Sequence, residues 1–198
     1  MVHERTLAAR HRYMTKKNDI KFLRVTHLRG PNIWTYRPVI EAWIDIGELE
    51  DFPSNKLPGF TERVTSWLPG LIEHRCSVGR RGGFLMRLRD GTWPGHILEH
   101  VALELQTQAG MKTGFGKARM THERGVYKVV IRTRDEAVGR AALESAREVA
   151  PLVPRALLMS ELPPDWERRA HAVEVVAIHT NHRHLTPELA QAVRAAGF

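Results

Sequence analysis

The chain has 198 residues, of which 42% are hydrophobic and 26% are charged, a balance typical of a globular protein and not of a disordered one. No apolar run approaches the ~20 residues that cross a bilayer, and residues 1–17 lack the apolar segment of a secretory signal, so we expect a cytoplasmic protein with no membrane partner. The formal net charge of +8 favours an anionic partner, and the single cysteine excludes an internal disulfide.

Two strands are predicted in the first part of the chain, after a basic extension over residues 1–19. Residues 20–27 mix β-branched, apolar and polar side chains, and the turn-forming segment Arg29–Asn32 follows them. Residues 38–46 alternate between apolar and polar side chains, as a half-buried strand does.

The middle of the chain predicts two helices separated by a loop. Residues 60–74 place apolar side chains near helical spacing, with a kink or break expected at Pro69–Gly70. A glycine-rich basic loop is predicted over residues 77–83. Residues 92–108 are the strongest predicted helix, because Pro94 stands near its start and apolar side chains recur along one side.

A third strand is predicted at residues 126–132, and a further helix at 135–149 with acidic residues at its positive end. The order β-β-α-α-β-α predicts an α+β fold in which helices pack on a small sheet, over residues 20–152. Several prolines then mark a linker-like stretch. A short strand and a final helix are expected to form a C-terminal appendage within residues 153–198.

The most informative pattern lies within the strongest helix, where His96, Glu99 and His100 form an H-x-x-E-H motif. Side chains four residues apart share one face of a helix, so both imidazoles can reach one metal ion. Glu99 is then the candidate general base on a metal-activated water. Cys76 is a candidate third ligand that leaves a fourth position open, as a catalytic zinc site requires. The alternative is that the histidines pack locally and Cys76 is an inert core residue.

The basic loop is a candidate substrate-binding site. Arg80 and Arg81 carry guanidinium groups that bind carboxylates through two hydrogen bonds, and Gly82 and Gly83 expose backbone amides beside them. A solvated basic turn is the alternative.

Two further patterns do not support a site. The glycine-rich stretch Gly110–Ala118 departs from a phosphate-binding loop in its spacing, and Ala118 replaces the magnesium-binding hydroxyl, so no ATP site is expected. The three histidines His179, His182 and His184 have an irregular spacing without neighbouring acids, which does not favour a metal site.

Several segments, in order along residues 20–152, resemble the amino-terminal domain of the cyanophycin synthetase family. They are Leu28–Trp34, Pro58–Phe60, Glu73–Ser77, Arg81–Leu85, Gly95–Gln106, Gly114–Gly116 and Gly125–Val130. The resemblance implies a domain that holds cyanophycin, a poly-aspartate backbone carrying arginine on each side chain. The ATP-grasp and Mur-ligase-like domains of the family have no counterpart in this sequence, so no ligase activity is expected.

The same resemblance implies, for some members of the family, a metallopeptidase that cuts the polymer into primers. The residues that match such a site are Cys76, His96, Glu99 and His100. They are the residues that the motif and the single cysteine indicate independently.

The C-terminal segments Pro154–Leu158, Leu162–Trp166 and Ile178–Phe198 resemble a late part of a bacterial glycerophosphodiester phosphodiesterase. That resemblance implies a fragment of a TIM barrel whose catalytic residues lie mostly on earlier strands. We therefore expect no phosphodiesterase activity from it. A gene fusion and a truncated remnant are both left open.

Composition, motifs and the resemblance to the cyanophycin synthetase family together leave three hypotheses to separate. One is a module that binds cyanophycin or a related Asp/Arg polymer, and the second is a zinc peptidase that acts on it. The third is an inactive remnant or a basic nucleic-acid-binding module, although the basic loops lack the aromatic side chains on which bases stack. Assembly into homo-oligomers is left open.

Overall fold

The structure is a computed structural model that describes residues 20–57 and 59–158. The predictions for residues 1–19, for the strand and helix of the C-terminal appendage and for the three histidines His179, His182 and His184 lie outside the described residues.

A four-stranded antiparallel sheet forms one layer of the fold. Its strands are β1 (Lys21–Leu28), β2 (Val39–Asp45), β3 (Gly116–Met120) and β4 (Val126–Arg132). They lie side by side in the order β1-β2-β4-β3. β2 and β4 therefore occupy the centre, and their mostly buried, β-branched sequences suit that position.

Four α-helices and four 3-10 turns make up the rest of the described fold. The helices are α1 (Phe60–Trp67), α2 (Gly83–Asp90), α3 (Pro94–Gln108) and α4 (Glu136–Leu158), and the 3-10 turns are Gly47–Asp51, Ser54–Lys56, Pro69–Glu73 and Cys76–Val78. None of the helices among the described residues is long and apolar enough to span a membrane.

The hydrophobic core lies between the helices and one face of the sheet. Alternate residues of the two central strands enter it, including Ala42 of β2 and Val129 of β4, which face each other in register. Leu98 on α3 and Leu143 on α4 belong to the same buried cluster. α3 is thus held against the sheet on one side and α4 on another, which makes it a rigid platform.

The opposite face of the sheet carries tryptophans and cations around one buried acid. Glu41 accepts hydrogen bonds from Trp34 Nε1 at 2.9 Å and from Trp43 Nε1 at 3.1 Å. The ammonium group of Lys128 lies 4.5 Å from the centroid of the Trp43 ring. These contacts order the β1–β2 connection against the sheet.

The α+β class is confirmed, as are the three predicted strands and the break at Pro69–Gly70, where α1 gives way to a 3-10 turn. Two elements were missed, β3 and α2. β3 has only five residues, and two of them, Lys117 and Arg119, are charged. α2 begins inside the glycine-rich loop, because Gly82 takes a left-handed conformation (φ 77°) and serves as its N-cap.

The predicted end of the last helix at residue 149 is wrong. α4 continues through Pro151 and Pro154, two of the prolines that had indicated a linker, and reaches Leu158. Ala142, Ala146 and Ala150 are buried at helical spacing, so the helix packs on the core up to the residue before Pro151.

Candidate metal centre

Helix α3 positions both histidines of the H-x-x-E-H motif. Pro94 occupies its first turn, and a Cβ on Gly95 would lie only 2.7 Å from the ring of Tyr127 on β4. The start of the helix therefore lies directly against the sheet. The rings of His96 and His100 follow on one side of α3, edge to face, with centroids 4.8 Å apart.

Cys76 approaches these rings from the 3-10 turn that precedes α2. Its Sγ lies 3.3 Å from His96 Nε2. Cys76, His96 and His100 each offer one ligand atom, and the three atoms lie within 4.8 Å of one another. A thiol and two imidazoles are donors that zinc takes, and a set of three leaves a coordination position open. The donor chemistry thus fits zinc.

The backbone of Cys76 is unusual for a residue with a side chain. Its φ is 52°, and among the described residues it is the one non-glycine residue with positive φ. Such a conformation costs on the order of 1–3 kcal/mol and persists only where surrounding contacts maintain it. Here it turns the thiol toward α3.

Thr92, two residues before the start of α3, orients His96. Its Oγ1 lies 2.8 Å from His96 Nδ1, and Thr92 is buried. With Nδ1 bonded to the hydroxyl, Nε2 faces Cys76. Burial, and secondarily the positive charge of Arg87, lowers the pKa of His96 to about 4. The ring is therefore neutral near pH 7, the form that binds metal.

His100 is oriented by a chain of two further residues. Its Nδ1 lies 2.8 Å from His74 Nδ1, and His74 Nε2 lies 3.1 Å from Glu104 Oε2. Burial, together with the neighbouring imidazoles His96 and His74, lowers the pKa of His100 well below its usual value. On the other side the ring stacks on Phe84, with centroids 3.9 Å apart.

Glu104 is itself held on two sides. Gln108 Nε2 donates to its Oε1 at 3.2 Å. A Cβ on Gly70 would overlap the same carboxylate, so this glycine is needed for the close approach of the 3-10 turn Pro69–Glu73. The chain from Glu104 through His74 to His100 is thus a packed and hydrogen-bonded unit that connects α3 to the segment before Cys76.

Glu99 lines the same cavity as the three candidate ligands. It is 5% exposed, and burial raises the pKa of its carboxyl to about 8. Gly116 of β3 packs on it, since a Cβ at that position would lie 2.5 Å from Glu99 Oε1. A buried carboxyl with such a pKa can take and return a proton near neutrality.

The candidate centre opens into a cavity of about 1240 Å³. Its wall is formed by the turn around Cys76, by α3 and by the segment leading into β3. Cations on this wall include Arg87 and Lys112 as well as Arg81. The cavity is large enough for a segment of peptide.

The four residues of the predicted substrate loop are placed differently from one another. Arg81 lines the cavity, but its Nε and Nη2 both donate to Glu73 Oε1, at 2.9 and 2.7 Å. Arg80 donates to the sulfur of Met86. Gly82 caps α2, and Gly83 packs on the backbone of Arg75. Their role in binding substrate stays a prediction.

Sequence reasoning missed three residues that support the ligands, namely His74, Thr92 and Glu104. For two of them, the spacing in the sequence could have indicated a role. Thr92 and Glu104 stand four residues before His96 and four after His100, at helical spacing. The structure pairs Glu104 with His74. His74 carries no such signal, because its contact with α3 is long-range.

Comparison with known proteins relates the sequence to a family. A model of the family described as "Cyanophycin synthase-like N-terminal domain" matches residues 41–153. Proteins named cyanophycin synthetase are similar over much of the chain. The one from Synechocystis sp. is 50% identical over 129 residues, and the one from Crocosphaera subtropica is 48% identical over 129 residues. Each match covers 64% of this chain but 15% of the relative, so the chain spans a small part of the length of these proteins.

Proposed function

The chain belongs to the cyanophycin synthase-like N-terminal domain family, and on this premise we propose that it binds a cyanophycin-like Asp/Arg polymer and hydrolyses the polymer's amide bonds with zinc. One observation carries the proposal: the ligand atoms of Cys76, His96 and His100 lie within 4.8 Å of one another in the wall of a cavity. The relatives indicate the polymer, since those proteins are named cyanophycin synthetases.

Three residues would hold the metal, through Cys76 Sγ, His96 Nε2 and an imidazole nitrogen of His100. When bound, zinc supplies a Lewis acid that lowers the pKa of water toward ~7 and polarises a carbonyl group. The chain's own groups do the remaining work. Thr92 and His74 keep the two imidazoles oriented through the contacts at their Nδ1 atoms. The buried surroundings keep both rings neutral.

Glu99 would move the proton. In hydrolysis of an amide, a C–O bond forms from water and the C–N bond breaks. A carboxylate oxygen of Glu99 accepts a proton from the attacking water and passes it to the nitrogen of the leaving amine. The pKa of about 8 suits this exchange, because the protonated and ionised forms are both accessible near neutral pH.

The experiment that tests the proposal measures metal content and cleavage on the same preparation. Purified protein is analysed for bound metals and then incubated with cyanophycin, and the products are identified by mass spectrometry. We expect one zinc ion per chain and shorter polymer fragments, with cleavage lost in a chelator and restored by zinc. Polymer that binds but stays intact with zinc present would reduce the domain to a binding module. Protein that takes up no zinc would overturn the metal site.

A further inference from the structure

We propose that Arg87 is a carboxylate-binding residue in the metal cavity and that it selects anionic peptide segments there. The inference rests on the proposed function only for the identity of the neighbouring centre, because the carboxylate site itself needs no metal. It concerns the middle of α2, beyond the predicted substrate loop that ends at Gly83.

The guanidinium of Arg87 is incompletely satisfied. Its Nε is buried and has no hydrogen-bond partner. Among the described residues, no carboxylate forms an ion pair with it. A buried donor without a partner loses its hydration without compensation, which is rare in folded proteins and calls for a ligand or another partner. Arg87 as a whole is half-buried and lines the cavity, so a carboxylate there can pair with the part of the guanidinium that the protein leaves open.

Arg87 lies near the candidate metal centre. The charge of Arg87 is close enough to His96 to contribute to the lowered pKa of that imidazole. Thr92, the hydroxyl partner of His96, lies on the same wall. A carboxylate held by Arg87 would therefore place the rest of a peptide beside Cys76 and His96.

The charge balance of the wall favours an anion. Of its acids, Glu73 is already paired with Arg81 and Glu104 is paired with His74. Glu99 is the third acid on the wall, and when ionised it carries one negative charge. Arg87 and Lys112 carry two positive charges, and neither has an ion-pair partner within the part of the chain that the structure describes. Thr113 Oγ1 adds another buried polar atom with no hydrogen-bond partner on this wall.

An arginine suits this task for geometric reasons. A guanidinium presents paired N–H donors in a plane that match the two oxygens of a carboxylate, and it stays charged at all relevant pH values. Arg87 differs in this from Arg81, whose donors already engage Glu73. The ligand class is thus a peptide bearing carboxylates, either on side chains or at its C-terminus.

The test uses metal-free protein and three short peptides in calorimetric titrations. Acetyl-Asp-Asp-Asp-amide presents side-chain carboxylates, acetyl-Asn-Asn-Asn with a free C-terminus presents a terminal one, and acetyl-Asn-Asn-Asn-amide presents none. We expect the first or the second to bind at least about tenfold more tightly than the third, as one charged hydrogen-bonded contact provides. The stronger of the two identifies the source of the carboxylate.

Arg87→Gln should remove that preference while circular dichroism and zinc uptake stay as in the wild type. Arg87→Lys should weaken the preference as well, and this variant provides the test if Arg87→Gln does not fold. Arg89→Gln is the matched control, since Arg89 lies on the same helix, has the same charge and is exposed; it should leave the preference intact. An unchanged preference in folded Arg87→Gln or Arg87→Lys would overturn the inference even if zinc binds and the polymer is cut. If the protein takes up no zinc but still shows an Arg87-dependent preference, the inference about Arg87 stands and the proposed function is refuted.

Discussion

His74 and His100 meet through their Nδ1 atoms, 2.8 Å apart. One of these nitrogens donates and the other accepts, and Glu104 decides which. The Glu104 carboxylate accepts from His74 Nε2–H, so in the tautomer that carries this single ring proton His74 Nδ1 has a lone pair and receives the proton of His100 Nδ1–H. The unprotonated nitrogen of His100 is then Nε2. The hydrogen bonds from Glu104 through His74 to His100 thereby select the His100 tautomer whose Nε2 is available to a metal.

Replacing His74 with Phe should weaken zinc binding without removing any ligand. The aromatic ring preserves packing, but His100 Nδ1–H loses its acceptor and the ring loses its preferred tautomer. Loss of such an outer partner costs about 10–100-fold in metal affinity. Competition with a fluorescent chelator measures the change. Glu62→Gln, an exposed substitution on α1, is the control, and equal zinc affinities for His74→Phe and the wild type would contradict the role of the chain.

Glu99→Gln and His96→Ala should separate metal binding from catalysis. Glu99→Gln keeps the three candidate ligands and removes the proton acceptor, so zinc should stay bound while cleavage falls by at least about 100-fold. His96→Ala removes a ligand, and both zinc and cleavage should be lost. Metal analysis and fragment mass spectrometry on matched preparations give the two readings. Full cleavage by Glu99→Gln would exclude Glu99 as the base.

The contact between Gly116 and Glu99 predicts an effect on activity from a single methyl group. In Gly116→Ala the new Cβ would stand 2.5 Å from Glu99 Oε1, so the carboxylate must shift. A shift of about 1 Å at a reacting group can cost about 100-fold in rate, whereas zinc should bind as before. Gly114→Ala is the matched control, because a Cβ there meets nothing within 4 Å. Equal cleavage rates in the two variants would refute the prediction.

The stability of the metal-free protein should depend on pH in both directions. Burial raises the pKa of Glu99 from 4.5 to about 8, so the unfolded chain releases this proton first and the free energy of unfolding falls between these values as pH rises. Burial lowers the pKa of His96 from 6.5 to about 4. The unfolded chain therefore binds that proton first, and stability also falls as pH drops from 6.5 to about 4.

Glu99→Gln isolates the first of these contributions. Urea unfolding in a chelator should show wild-type stability declining between pH 6.5 and 8 by up to about 2 kcal/mol, since one group contributes at most roughly 1.4 kcal/mol per pH unit. In Glu99→Gln that decline should flatten, and in Glu62→Gln it should remain. A decline of the same size in Glu99→Gln would assign it to other groups.

Arg81→Lys tests the predicted substrate loop. The substitution keeps the charge but loses the fork of donors, so affinity for the polymer should fall several-fold if Arg81 contacts its carboxylates. Sedimentation with insoluble cyanophycin measures binding. Arg134→Lys, at an exposed position after β4, is the control. Unchanged binding by Arg81→Lys would show that Arg81 does not contact the polymer through paired donors and that its fork of donors binds Glu73 alone.

Local patterns in the sequence determined the fold class, the central strands and the face that His96 and His100 share. These follow from the periods of strand and helix, which depend on neighbouring residues alone. The break at Pro69–Gly70 followed from the proline and glycine themselves. Periodicity missed α2 and β3, which have only eight and five residues, and it did not indicate that α4 continues past residue 149.

Only the tertiary structure decided what surrounds the two histidines. Cys76 had been predicted as a ligand, but its distance from His96 depends on how the turn before α2 packs against α3. The same packing brings His74 onto His100 and places Arg87 on the cavity wall. These residues are separated by many positions in the chain, and no helical or strand period relates them. Their contacts arise from the folded arrangement of α2 and α3, which local spacing does not encode.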